Sequence, residues 1–194
     1  MPRVSAAYRE ARRDEIARAA LRCLERKGVH ETSISDIVEE SGLSTGAIYS
    51  HFTSKAELAR YIVGRFLVPK VDGLEAQASH GAVIPPRAIL TTLLRSFADE
   101  GLPPAVVLQF WAEAMVDPEM NAEMLRTAAR LRDALAHALR PWAEASGASD
   151  PDVTALLTTR SVIALAQGWV AHSAVFGPQD VDSYLSAVAS VLEP

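Results

Sequence analysis

An all-α protein is predicted by three features of this sequence. Apolar residues recur at intervals of three and four along nearly its whole length, and almost nothing alternates with period two. Short separators, "GLPP", "DP", "SGASDP" and "GP", each join a helix-ending or φ-fixing residue to a plausible restart. The first sixty residues carry two capping boxes, Ser33 with Asp36 and Ser54 with Glu57, each a reciprocal helix-start signal.

The elements follow in order. A first helix is predicted from about Ala7 to Lys27, with Ile16, Ala19, Ala20, Cys23 and Leu24 on one face and Lys27-Gly28 as its stop. A short second helix opens at the Ser33 box and buries Ile34, Ile37 and Val38. Gly42 then turns the chain at positive φ, Leu43 plugs the core and Ser44 caps a third helix of barely two turns, Thr45 to His51, ending near Phe52. The Ser54 box opens a fourth helix carrying Leu58, Ile62 and Phe66. Past residue 66 the pattern loosens around Pro69, Gly73 and "SHGAVIPP", which predicts a boundary region; further helices are predicted near 86–100, 103–116, 119–144, 152–176 and 179–192. The predicted organisation is 1–53, 54–80 as connecting helix and boundary, and 81–194.

With 194 residues, 49% of them hydrophobic, the chain can bury a sizeable core. No segment approaches the roughly 20 unbroken apolar residues of a membrane helix, since "RSVIALAQGWVAHSAVF" is broken by Gln167, Gly168, His172 and Ser173. The arginine-rich start, interrupted by Glu10, Asp14 and Glu15, lacks the apolar region of a secretory signal. Cys23 stands alone, which excludes an intramolecular disulfide and a multi-cysteine zinc site and agrees with a cytoplasmic location. Net charge is −5, yet residues 1–60 hold ten basic against nine acidic side chains while the remainder hold nine against fifteen. That asymmetry marks two parts with different tasks.

Two short helices joined by a turn at Gly42, under a longer first helix, have the spacing of a helix-turn-helix, whose second helix lies in the major groove. Thr45, Gly46, Ala47, Ser50 and His51 are small or polar, as an exposed groove face requires, while Ile48 and Phe52 point back to the core four residues apart. Residues 32–58, "TSISDIVEESGLSTGAIYSHFTSKAEL", resemble the DNA-binding signature of the TetR family of transcriptional regulators: the turn glycine, the G-x-I-Y-x-H-F core and the S-K-x-E-L opening stand in order. The resemblance covers the first third of the chain closely, and total length and helical remainder fit the family.

It implies DNA contacts from Ser33, Ser44, Thr45, Gly46, Tyr49, His51 and Lys55. Lys55 offers charge to a phosphate beside a helix N-terminus, Tyr49 its hydroxyl to a phosphate oxygen, and Thr45 a contact to a base edge or thymine methyl; Gly46 allows close backbone approach. The third helix lacks Arg, Lys, Asn and Gln, so the bidentate contacts worth about 1–3 kcal/mol of discrimination each are absent from it. Specificity then falls to hydroxyl and methyl contacts, DNA shape and Arg3 reaching the minor groove from an N-terminal arm. For Arg9, Arg12 and Arg13 a solvated helix face stands equal to phosphate contact.

The resemblance further implies a homodimer and a small-molecule effector pocket in the C-terminal part, with repression of transcription as the expected activity. The last two helices carry more apolar residues than one intramolecular stripe requires, which fits a dimer surface formed by two helices from each protomer, with a thick core as the alternative. Trp111, Glu113 and Trp169 are the candidate effector contacts, among large or adaptable neighbours such as Phe110, Met115, Met120 and Met124. No cofactor or metal is expected. No catalytic motif appears, and Cys23 on an apolar face reads as packing; a helical protein-binding adaptor is the remaining rival, separable by the salt dependence of binding.

Overall fold

Ile16, Ala19, Ala20, Cys23 and Leu24 all fall on the buried face of α1 (Ala6–Glu31), as their spacing requires. The computed structural model describes residues 5–98 and 102–192, and of residues 66 and 67 the backbone alone. Arg3 and the Phe66 side chain therefore lie outside the described residues. Ser5 caps α1 by accepting from the Tyr8 amide at 3.2 Å. The predicted stop at Lys27-Gly28 is a break rather than an end: Gly28, at φ 81° and ψ 168°, sits where only glycine is comfortable, and one more turn follows. Thr32 closes that turn, its amide and its hydroxyl both donating to the Gly28 carbonyl, at 3.2 and 2.6 Å.

The second and third helices are α2 (Ile34–Ser41) and α3 (Thr45–Tyr49), joined through Gly42 in the left-handed region at φ 67°. Helix α3 is shorter than predicted, because its last turn tightens: the His51 and Phe52 amides both donate to the Ile48 carbonyl, at 2.9 and 3.0 Å.

The largest departure from expectation is α4 (Lys55–Ser79), which runs straight through Pro69. Proline in a helix interior costs an amide donor and a steric clash, about 3 kcal/mol. Here Val71, Leu74 and Ala78 are buried beyond it, and α4 packs along α7 (Pro118–Ala145). Tertiary packing outweighs the local penalty, and the predicted loosening after residue 66 is not a helix end.

The remainder comprises α5 (Pro86–Ala98), α6 (Pro104–Ala114), α8 (Pro151–Phe176), α9 (Val181–Ala187) and α10 (Ala189–Leu192). The Asp-Pro pairs act as start signals: Asp117 accepts from the Glu119 and Met120 amides, Asp150 from Val153, and the following prolines occupy the first turn where no donor is needed. The single last helix predicted over 179–192 is two, divided at Val188. Helix α8 forms the centre of the C-terminal bundle, packed against α5, α6 and α7, while α1 bridges from α2 to α6. By length and composition alone α8 passes as a candidate membrane span despite its broken apolar run. Its buried seam, Ala155, Thr159, Val162, Ala166, Trp169 and Val170, is instead spent on neighbouring helices.

A side chain at position 28 meets two obstacles. The backbone is in a glycine-only region, and a Cβ there would stand 2.9 Å from Oε1 of Gln109. Gly28→Ala is expected to cost about 1–3 kcal/mol, read as a lowered urea midpoint. An unchanged midpoint would mean that the break at Gly28 is not a fixed feature of the fold.

Candidate DNA-binding surface and effector cavity

Caps set the geometry of the helix-turn-helix. Ser33 and Asp36 form the complete reciprocal box: the Asp36 amide donates to Ser33 Oγ at 3.2 Å, and the Ser33 amide to Asp36 Oδ2 at 2.8 Å. Lys27 pairs with the other carboxylate oxygen at 2.5 Å, and with the Ser33 bonds it holds the Asp36 carboxyl well below the usual carboxylate range. Ser44 caps α3 through the Ala47 amide at 3.2 Å. Ile48 and Phe52 are buried to 0% and 1% exposure, so the opposite face, Thr45, Gly46, Tyr49 and Ser50, is turned to solvent. Tyr49 is 51% exposed, a large aromatic standing free on a polar face.

What holds this face in place is Arg13. Its guanidinium lies 4.3 Å from the Phe52 ring centre and 4.7 Å from that of Tyr61, between two aromatic faces. One nitrogen donates to the His51 carbonyl at 2.8 Å and another to Glu57 at 3.2 Å. Burial pushes the Glu57 carboxyl up, but bonds from the Thr53 amide and hydroxyl and from Arg13 more than offset it, leaving the carboxyl below its ordinary value. Of the two readings left open for Arg13, solvated face or phosphate contact, neither describes it: it ties the end of α3 to α1 and α4. Sequence reading missed this role because its partners lie 38 and 44 positions away.

The end of α1 is gripped from two sides. The Lys55 ammonium, at the first residue of α4, donates to the Val29 carbonyl. The Val29 amide in turn donates to Gln109 Oε1 of α6 at 2.7 Å. Beside it, His30 and Glu113 approach at 3.7 Å.

Helices α4 to α8 line a half-open cavity of about 280 Å³. Its wall draws Val63 from α4, Phe97 from α5, Trp111 from α6, Met124 and Leu135 from α7 and Ile163 from α8. Asn121, Thr127 and Gln167 are its polar lining groups, and no charged side chain lines it among the described residues. Such a surface favours an apolar body oriented by a few hydrogen bonds.

Residues 16–62 match the sequence model of the tetR family of bacterial regulatory proteins, and residues 85–193 match that of the C-terminal part of BetI-type transcriptional repressors. The chain belongs to the TetR family. It is a helix-turn-helix transcriptional regulator. Over 82 residues it is 37% identical to the HTH-type regulator YfiR of Bacillus subtilis, an alignment spanning 42% of this chain and 40% of that one. The HTH-type regulator UidR of Escherichia coli is 25% identical over 167 residues, 82% of this chain and 80% of UidR. A transcriptional regulator from Saccharomonospora viridis, solved in complex with choline, superposes with a TM-score of 0.63 at 25% identity, covering 92% of this chain and 93% of that one.

Within this TetR-family chain the seven residues selected for DNA contact fall into two sets. Thr45, Gly46 and Tyr49 share the exposed side of α3, with Ser44 exposed at its start. Ser33 is exposed but its hydroxyl is committed to Asp36, His51 is half-buried with its carbonyl on Arg13, and Lys55 is half-buried toward Val29. Of the effector candidates, Trp111 lines the cavity. Glu113 is outside the lining, facing His30, and Trp169 is buried in the core with its ring 6.4 Å from Phe97. Met124 lines the cavity, Phe110 and Met120 are core, and Met115 is exposed. Cys23 is fully buried, and burial pushes its thiol up, as befits a packing group.

Arg13→Met keeps an unbranched side chain and removes the guanidinium that lies between the rings. Loss of the His51 and Glu57 bonds is expected to cost about 1–3 kcal/mol of stability and to weaken DNA binding, although Arg13 is turned inward. Urea unfolding together with fluorescence anisotropy on DNA measures both. DNA affinity equal to that of the parent would remove Arg13 as the residue that positions α3.

Proposed function

We propose that this TetR-family regulator is a repressor that binds operator DNA as a homodimer and leaves it when a small, largely apolar effector fills the cavity. The observation that carries this reading is the position of α4: it begins at Lys55, just after the recognition helix α3, and reaches the cavity wall at Val63 eight residues later. A ligand that prefers one setting of α4 biases the setting of α3 by the same free energy, typically about 1–3 kcal/mol for such coupling.

In this reading residues 1–53 form the DNA-binding unit, 54–80 connect, and 81–194 bind effector and partner. The exposed set Ser44, Thr45, Gly46 and Tyr49 enters the major groove, with Ser33, His51 and Lys55 beside the backbone. Lys55 keeps two free protons for a phosphate while its third bonds Val29. Trp111 is the effector contact retained; the positions of Glu113 and Trp169 favour interdomain contact and core packing for them. The protein works in the cytoplasm, where its DNA is, and binds rather than catalyses.

Dimerisation is assigned to the C-terminal helices. Val153, Leu157, Ala164, Gly168 and Val175 form an exposed stripe along α8 at steps of four and seven, and Phe176 and Val191 extend the apolar surface. Two recognition helices must meet major grooves about 34–36 Å apart, which one protomer cannot do.

The deciding measurement is fluorescence anisotropy on DNA from the upstream intergenic region and a shuffled control, at two salt concentrations. Tight, salt-sensitive binding to the native fragment alone is expected; equal weak binding to both would leave the operator assignment without support. Leu157→Arg, about one turn from the exposed Arg160, is expected to give a monomer by light scattering and at least a tenfold loss of operator affinity. A dimer with unchanged affinity would move the interface off α8.

A further inference from the structure

Among the described residues no charged side chain lines the cavity, but a charged groove adjoins it. Between α4 and α7 lies a second hollow of about 420 Å³ lined by Arg60, Arg126, Arg130 and Glu123, and Thr127 lines both spaces. Its charges are unequal. Arg60 at 2.8 Å and Arg126 at 2.6 Å share the one carboxylate of Glu123, while Arg130 has Asp72 at 3.0 Å. Three guanidiniums face two carboxylates, so the groove keeps a surplus positive charge, on side chains that remain 42–63% exposed and open to an incoming anion. Glu123 is only 16% exposed, and two guanidiniums on it leave donors over for another oxyanion.

We propose that the effector is an anionic amphiphile, a medium-length hydrocarbon chain ending in a carboxylate or phosphate. This rests on the ligand-responsive reading above and names its ligand class. The chain occupies the cavity lined by Val63, Met124 and Leu131, and the head group reaches past Thr127 to Arg60 and Arg126. Arginine suits that task because its planar fork matches a carboxylate or phosphate oxygen pair. Among the described residues a quaternary ammonium finds no anionic group in the cavity lining and three guanidiniums beside it. The groove is formed by α4 and α7, so a head group there pulls on the helix that begins next to α3.

The test is calorimetric titration of the full chain with decanoate, decanol and decyltrimethylammonium, all below their micelle concentrations. Decanoate is expected to bind at least tenfold more tightly than decanol, with decyltrimethylammonium weakest, and affinity in the carboxylate series to rise about fourfold per methylene until the cavity is full. The double variant Arg60→Gln, Arg126→Gln is expected to lose the decanoate advantage while binding decanol as the parent does, which also shows that it is folded. Decanol binding as tightly as decanoate, tighter binding of the cation, or a double variant that keeps the decanoate advantage would each overturn the head-group assignment and leave an apolar effector standing. If none of the three binds, the apolar-effector reading fails with it.

Discussion

A helix of five residues cannot hold itself in place, and the structure depends on how α3 is held. In isolation a segment this short is far below the length at which helices persist in water. Its end groups are met by Ser44, which accepts from the Ala47 amide, and by its own tightened turn, where the Ile48 carbonyl accepts from the His51 and Phe52 amides. Its inner face is pinned by Ile48 and Phe52. Its end is fixed in direction by Arg13, which joins the His51 carbonyl, the Phe52 ring and Glu57 into one cluster with Tyr61. The outer face is thereby freed of structural duty. In the proposed reading Thr45, Gly46 and Tyr49 are left to meet DNA with shape and hydroxyls.

That division explains a charge distribution that first looks wrong for a DNA-binding chain. Much of the N-terminal arginine and lysine is consumed internally: Arg22 and Arg26 on Glu40, Lys27 on Asp36, Arg65 on Asp14, Arg13 on Glu57. These pairs bind α1 to α2 and to α4. Exposed ones contribute little individually, about 0–1 kcal/mol, but they fix the angles between helices that a groove reader needs. The nearly balanced charge of the first sixty residues thus reflects a framework of pairs rather than a lack of electrostatic purpose.

The helices and their caps were legible in the sequence because each capping signal is local: Ser33 with Asp36, Ser54 with Glu57, Asp117 and Asp150 before proline. The core of the recognition unit was legible for the same reason, since Ile48 and Phe52 are one turn apart. Continuation of α4 through Pro69 was not, because the decision rests with α7, which lies some fifty residues further on. The same limit hid Arg13 and Gln109, whose partners are distant in the chain. Among the effector candidates, Trp111 and Trp169 are alike as residue types, and only the packing of α6 and α8 separates a cavity wall from a core plug.

Val29 is where these distant decisions meet. Its amide is bound by Gln109, from a helix that lines the cavity through Val107 and Trp111, and its carbonyl by Lys55, from a helix that lines it through Val63. Each such bond contributes roughly 0.5–3 kcal/mol, the charged one more than the neutral one. This is the same scale as the coupling a ligand-controlled regulator needs, about 1–3 kcal/mol. A stronger tie would lock both helices against any effector, and a weaker one would let α3 move without regard to the cavity. Gly28 permits the arrangement, since a Cβ in its place would push against the Gln109 oxygen that receives the Val29 amide. The glycine read from sequence as a helix stop therefore serves the joint between the two halves of the protein.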